Sequence, residues 1–215
     1  MANFNQTYKL TDVDMRTYGG MQWKLNEWHA GSGVRGMCQD GTLHAYPHPL
    51  LAVFLNPVHA NIQQPRLFKA EAGGKEMMDS GLKVGFSSMR LIEEIKLPHI
   101  DQEHRIRLAL MASIEVCSNK HWCAYAQGII TGSEMTLNKS FNSNETDVER
   151  MVRNYAYNAQ TYEEVEKNSG MALQTAAQYK SFDTIALCTE AYGQVYYEEA
   201  MNGTIYGAST PNRSK

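Results

Sequence analysis

The side chains best equipped for chemistry lie in the first half of the chain. His29, Cys38, His44, His48 and His59 supply imidazole and thiol groups, the usual ligands of zinc. Their spacing does not build a metal site. His44 and His48 are four apart, but Pro47 denies the regular helix that would set both on one face. Cys38, Cys117, Cys123 and Cys188 contain no C-x-x-C pair, so no metal and no other cofactor is expected. Four reduced thiols suit a cytosolic setting. Carboxylates are the second group. Glu71 falls mid-strand between Ala70 and Ala72, and Glu93 interrupts an apolar alternation. Each is costly to bury without a partner, and Lys69, Lys83 and Arg90 are the nearby cations. A carboxylate in a cleft with a shifted pKa could serve as acid or base; one in an ion pair would be structural.

Other reactive signatures are missing. There is no G-x-S-x-G nucleophile turn and no G-x-x-x-x-G-K-[ST] phosphate loop. Gly31-Ser32-Gly33-Val34-Arg35-Gly36 has the G-x-G-x-x-G spacing but no clear strand before it or helix after it, so it reads as a loop. Eight of the twelve tyrosines follow residue 150. Tyr155 and Tyr162 are seven apart, on one helical face. Tyr155, Tyr162, Tyr192, Tyr196 and Tyr197 could form a partner or self-association surface, or pack the helices together.

The elements that must position these groups change character near Pro98. Before it the period is two: Met21, Trp23 and Leu25 alternate, as do residues 66–72, with Gly73-Gly74 and then Asp79-Ser80-Gly81 closing successive runs. Asp40-Gly41 adds a hairpin signal. Met89, Leu91, Ile95 and Leu97 are expected on one face of a further strand. Pro49 followed by Leu50–Leu55 reads as one short buried helix, blocked by Pro57. After Asp101, a helix-capping residue, Ile106, Leu110 and Ile114 recur every fourth residue. Lys120–Ile130 is a second helix. Thr146-Asp147-Val148-Glu149 is a capping box whose helix should run to Asn168 and stop at Gly170. Another helix runs from Met171 into the 190s, with a restart at Ser181 or Asp183, and ends at Asn202-Gly203. The fold class is therefore α+β: a β-rich N-terminal half with one short helix, then a helical C-terminal half. The expected divisions are a β-rich unit 1–98, a helical segment 99–135 packed on it, a linker 136–145, helices 146–203 and a tail 204–215.

With 215 residues, 43% hydrophobic and 20% charged, the chain can bury a sizeable core. Its net charge of −3 gives no sign of a nucleic-acid partner. No apolar run reaches the roughly 20 residues of a membrane span, and the polar Met1–Thr7 is not a secretory leader.

Gln22-Trp23, Cys38, Gly41, His44-Ala45-Tyr46, Pro49–Val53, Leu55–Asn61, Pro65-Arg66-Leu67, Glu71, Gly74, Gly81-Leu82-Lys83, Glu94-Ile95, Leu97-Pro98 and Arg105-Ile106 form an ordered pattern over residues 22–106. This pattern resembles an uncharacterised family of proteins encoded by tailed bacteriophages. The resemblance implies an accessory protein made in the cytoplasm of an infected bacterium, with a helical tail. No activity comes with the resemblance; the role expected for the chain is non-enzymatic, binding a host or phage protein, as would fit host takeover or anti-defence, or self-assembly into a homo-oligomer. A virion component is the alternative placement.

A second likeness is more distant. The His-aromatic stretch, the short helix and the strand Leu67-Phe68-Lys69-Ala70-Glu71 look like the core of ADP-ribosyltransferase-like folds. That likeness implies nucleotide contact by His44 and Tyr46 and catalysis by Glu71 or Glu94. It requires those side chains to converge in one open cleft.

Overall fold

The computed structural model describes residues 5–32, 36–37, 41–133, 145–161 and 164–193. It has the expected α+β arrangement, strands first and helices after. A long antiparallel hairpin of β6 (Arg66–Asp79) and β7 (Lys83–Ile95) is its spine. The hairpin turns at Asp79-Ser80-Gly81, where Ser80 and Gly81 both take positive φ (49° and 73°) and Leu82 N–H donates to the Asp79 carbonyl at 2.7 Å. That is the primed turn whose twist matches paired strands.

β1 (Asn5–Thr11) lies on the outer edge of β6. β4 (His29–Ala30) and β5 (Leu43–Ala45) share the far edge of β7. Just beyond β5, Tyr46 exchanges two backbone hydrogen bonds with Tyr8 of β1, at 2.8 and 2.9 Å. The sheet thus closes on itself, in the circuit β1, β6, β7, β5. Trp23, Phe68, Phe86, Met89 and Leu91 fill its interior, with Ala45, Ala70 and Ala72. β2 (Arg16–Thr17) and β3 (Met21–Gln22) form a short ribbon that delivers Trp23 into this core. The expected strand through Leu25 stops at Gln22; Leu25 makes a single parallel bridge to Leu91 and is 46% exposed.

Two register shifts alter what the alternation implied. Gly73-Gly74 does not end a strand. Gly74 (φ 80°) sits in a bulge where an added Cβ would lie 2.0 Å from Ser87 Oγ, and β6 continues past it. The second shift passes over Ile92, since Leu91 pairs with Ala70 and Glu93 with Lys69. Met89 and Leu91 therefore face the sheet interior, while Ile95 and Leu97 pack on the helical core. They do not share one face as expected; the intruding Glu93 marks the flip.

The helical core is organised by two buried helices. α1 (Pro49–His59) starts with Pro49 in its first turn and His48 as cap, and Pro49 to Leu55 are all buried. It continues through Pro57, expected to block it, because the last turn is held by Ala60 and Asn61 N–H donating to the Asn56 carbonyl. α2 (Gln102–Val116) is capped by Asp101 and touches α3 (Lys120–Ile130), α4 (Asp147–Gln160), α5 (Val165–Tyr179) and α6 (Thr184–Tyr192). Leu108 to Ser113 are buried all round, and Ile106 and Ile114 lie at the margins of that contact. The capping box of Thr146 and Glu149 opens α4 as expected. α4 ends at Gln160 rather than Asn168, and α5 runs straight through Gly170. Gly170 is there for closeness, not termination: its missing Cβ would meet Val58 and the Phe54 carbonyl of α1. Among the described residues no helix is long and apolar enough to cross a membrane. Of the expected linker only Glu145 is described, and the expected tail lies outside the described residues.

Candidate functional site

The four residues proposed for transferase chemistry do not converge. His44 sits opposite Gly85 of β7, with its Nε2 against the Met37 carbonyl. Tyr46 is buried, stacked on His59 at 5.8 Å between ring centroids, with its hydroxyl 3.3 Å from His59 Nδ1. Burial pushes the Tyr46 phenol up and pulls the His59 imidazole down to about 4. Glu71 lies opposite Arg90, five residues along β7 from Gly85, or about 17 Å of strand. Glu94 is farther still, about 30 Å of strand from Gly85. Both carboxylates are held by arginines. Arg90 reaches Glu71 Oε2 at 2.6 and 2.9 Å, and Arg66 grips both oxygens of Glu94 at 2.6 and 2.9 Å. Glu93 pairs with Lys69 at 2.5 Å. These are cross-strand ion pairs on the sheet surface. Among the described residues no three His, Cys, Asp or Glu side chains gather as a metal site.

The tyrosines divide. Tyr192, expected on a contact surface, is buried and packs its ring on His104 at 5.0 Å. Its size serves the helical core. Tyr155 is half-buried against the same core, while Tyr157 and Tyr179 are exposed. Tyr162, Tyr196 and Tyr197 lie outside the described residues.

The structure instead builds a polar cleft of about 370 Å³ where the sheet meets the helices. Its walls are the end of α1, residues 61–65, residues 97–100, Arg105 of α2 and Glu166 of α5. The Asn56 side chain shapes one wall. Its amide donates to the Ile62 carbonyl at 2.9 Å, and its oxygen accepts from Ile62 N–H at 3.0 Å. Asn61 and Gln64 complete the bend with positive φ (48° and 49°). Asp101, by capping α2, sets Arg105 one turn into the helix and against the cleft.

Arg105 is 5% exposed. Among the described residues its Nε and Nη1 have no hydrogen-bond partner. Its Nη2 lies 3.6 Å from Glu166 Oε1, and its guanidinium is 5.9 Å from the Phe54 ring. Burial lowers the Arg105 pKa and Glu166 acts against that shift. The Glu166 side chain is 64% exposed, so this pair is loose and screened by water. A buried guanidinium with idle donors is costly unless something meets it.

Comparison of the chain with family models, curated proteins and solved structures gives no match. The cleft must therefore be read from its own residues.

In the sequence, Arg105 carries a signal that hydrophobic periodicity alone does not show. Arg105, Leu108, Ala109, Ala112 and Val116 are all buried and share one helical stripe. A charge inside an apolar stripe marks a buried ion, as Glu93 marks a bulge. Lys9 carries no such mark: its same-face neighbours in β1, Thr7 and Thr11, are polar, and only closure of the sheet puts it inside.

Proposed function

We propose that this chain acts by binding rather than catalysis, and that the cleft over Arg105 receives its partner. One observation carries this reading: a guanidinium 5% exposed, lining a cleft, with two nitrogens unmatched by the described residues. Buried polar atoms are almost always satisfied, so unmatched donors at a cleft point to an absent acceptor. The transferase alternative loses support because its carboxylates are occupied by arginines and lie far from His44 and Tyr46 along the sheet. The resemblance of residues 22–106 to a tailed-phage family supports a setting in the infected bacterial cytoplasm. The partner is then a host or phage protein.

A photo-crosslinking side chain placed at Gln63, on the cleft wall, tests this in infected cells. One discrete adduct is expected, lost on Arg105→Gln. Adducts indifferent to Arg105 would overturn the reading. Light scattering identifies the partner class: an adduct of twice the chain mass with a concentration-dependent dimer would make it a second copy.

A further inference from the structure

We propose that the Arg105 cleft binds a carboxylate, carried by a short peptide segment of the partner. The inference rests on the binding reading above and names the chemistry of that same site. Three features of the cleft select a carboxylate. First, Arg105 is the one lysine or arginine that lines it among the described residues, with the imidazole of His99 also on the wall. A single guanidinium matches one planar, singly charged group, to which it can donate two parallel hydrogen bonds. Second, Glu166 already stands in for the ligand. Its carboxylate approaches Arg105 Nη2 but stops at 3.6 Å, and most of the side chain remains in water. A better-placed carboxylate can take over the guanidinium while Glu166 swings to solvent. A phosphate dianion would bring two negative charges to one full cation. Third, α5 begins at the cleft. Its N-cap, Glu164, is left-handed and makes no side-chain cap hydrogen bond among the described residues, and Glu166 is the acidic residue of its first turn, so a carboxylate that displaces Glu166 also meets the positive end of the helix.

The rest of the lining fits a peptide. Asn61, Gln63 and Gln64 offer amide donors and acceptors of the kind a main chain requires. Val53, Ile62 and Leu97 supply apolar surface beside them. A free small acid would use the guanidinium and leave those amides idle.

The full-length chain can be titrated by calorimetry while the Arg105 Nε–Hε resonance is followed by NMR. Four probes are used: an N-acetylated dipeptide with a free C-terminal carboxylate, the same dipeptide as its C-terminal amide, succinate, and inorganic phosphate. The free-carboxylate dipeptide is expected to shift the Arg105 resonance and saturate, and the amide to do neither. Glu166→Gln, an exposed change that spares folding, is expected to tighten the dipeptide about fivefold by removing the internal competitor. Arg105→Lys is expected to weaken it about tenfold, since a lysine cannot offer the paired donors. Succinate binding as tightly as the dipeptide would overturn the peptide assignment. Binding of phosphate in place of carboxylates would overturn the carboxylate, as would no response in either wild type or Glu166→Gln. If crosslinking at Gln63 still depends on Arg105 in those cases, binding at the cleft stands and only its ligand chemistry is wrong.

Discussion

Inside the closed sheet, the ammonium of Lys9 donates to the main-chain carbonyl of His44 at 2.5 Å. Tyr8 and Tyr46 pair their backbones at this seam, and Lys9 occupies the gap beside them, 4.9 Å from the Trp23 ring centroid. No carboxylate forms an ion pair with it among the described residues. Burial pulls the Lys9 pKa from 10.5 down to about 8. Between those values the unfolded chain binds more protons than the folded one, so stability rises with pH across the window. The cost is fully present below pH 8, at about 3 kcal/mol as an upper figure. Lys9→Met is expected to flatten the slope of urea stability between pH 8 and 10, and to raise stability at pH 7 by about 1 kcal/mol. An unchanged slope would show that Lys9 is hydrated.

His48 and His59 give the chain a second, acidic limit. His48 Nδ1 accepts from Leu50 N–H at 3.3 Å and so caps α1, which requires that nitrogen to be unprotonated. Burial takes both imidazoles from 6.5 to about 4, against a smaller opposing pull from Asp183 on His48 and Asp79 on His59. The unfolded chain binds more protons between pH 6.5 and 4, so stability falls as pH drops through that range. His48→Asn keeps an acceptor at the cap and is expected to stay within about 1 kcal/mol of wild type at pH 7. Combined with His59→Gln it is expected to resist acid better, measured by denaturant melts at pH 7 and 4.5. A double variant that loses as much stability as wild type would place the acid limit elsewhere.

Caps and turns of this protein are legible in its sequence; its long-range geometry is less so. Asp101, Thr146 with Glu149, and the Asp79-Ser80-Gly81 turn all act where their chemistry says they should, because caps and turns are decided within four residues. Gly170 misled because a helix stop and a close helix crossing use the same residue. Glu93 misled because a bulge shifts parity without changing composition. The cleft is invisible for a third reason: its walls come from parts of the chain as far apart as α1 and α5, and only Arg105, a charge in an apolar stripe, marks it locally.

The arginine pairs on the sheet surface yield a deliberately small effect. Glu94 meets Arg66 through two hydrogen bonds, but both side chains are substantially in water. The pairing lowers the Glu94 pKa, chiefly through those bonds. Glu94→Gln is expected to change stability by less than about 1 kcal/mol and to leave ligand binding at the cleft intact. Abolished binding with preserved folding would show that the sheet surface belongs to the site.

Gly170 supplies the sharpest packing test. In an exposed helix interior, glycine to alanine gains about 1 kcal/mol. Here an added methyl would lie 3.1 and 3.2 Å from the two Val58 methyls and 3.3 Å from the Phe54 carbonyl oxygen. Val58 can rotate, but the carbonyl belongs to a helix buried through most of its length and cannot give way. Gly170→Ala is therefore expected to destabilise by about 1–2 kcal/mol, despite its better helix propensity. Val58→Ala in the same chain removes the methyl contacts and leaves only the carbonyl, so the double variant should recover part of that loss relative to Val58→Ala alone. A coupling energy near zero in this cycle would mean that α5 shifts away from α1 as a rigid body, and that the crossing is set by other contacts along the two helices.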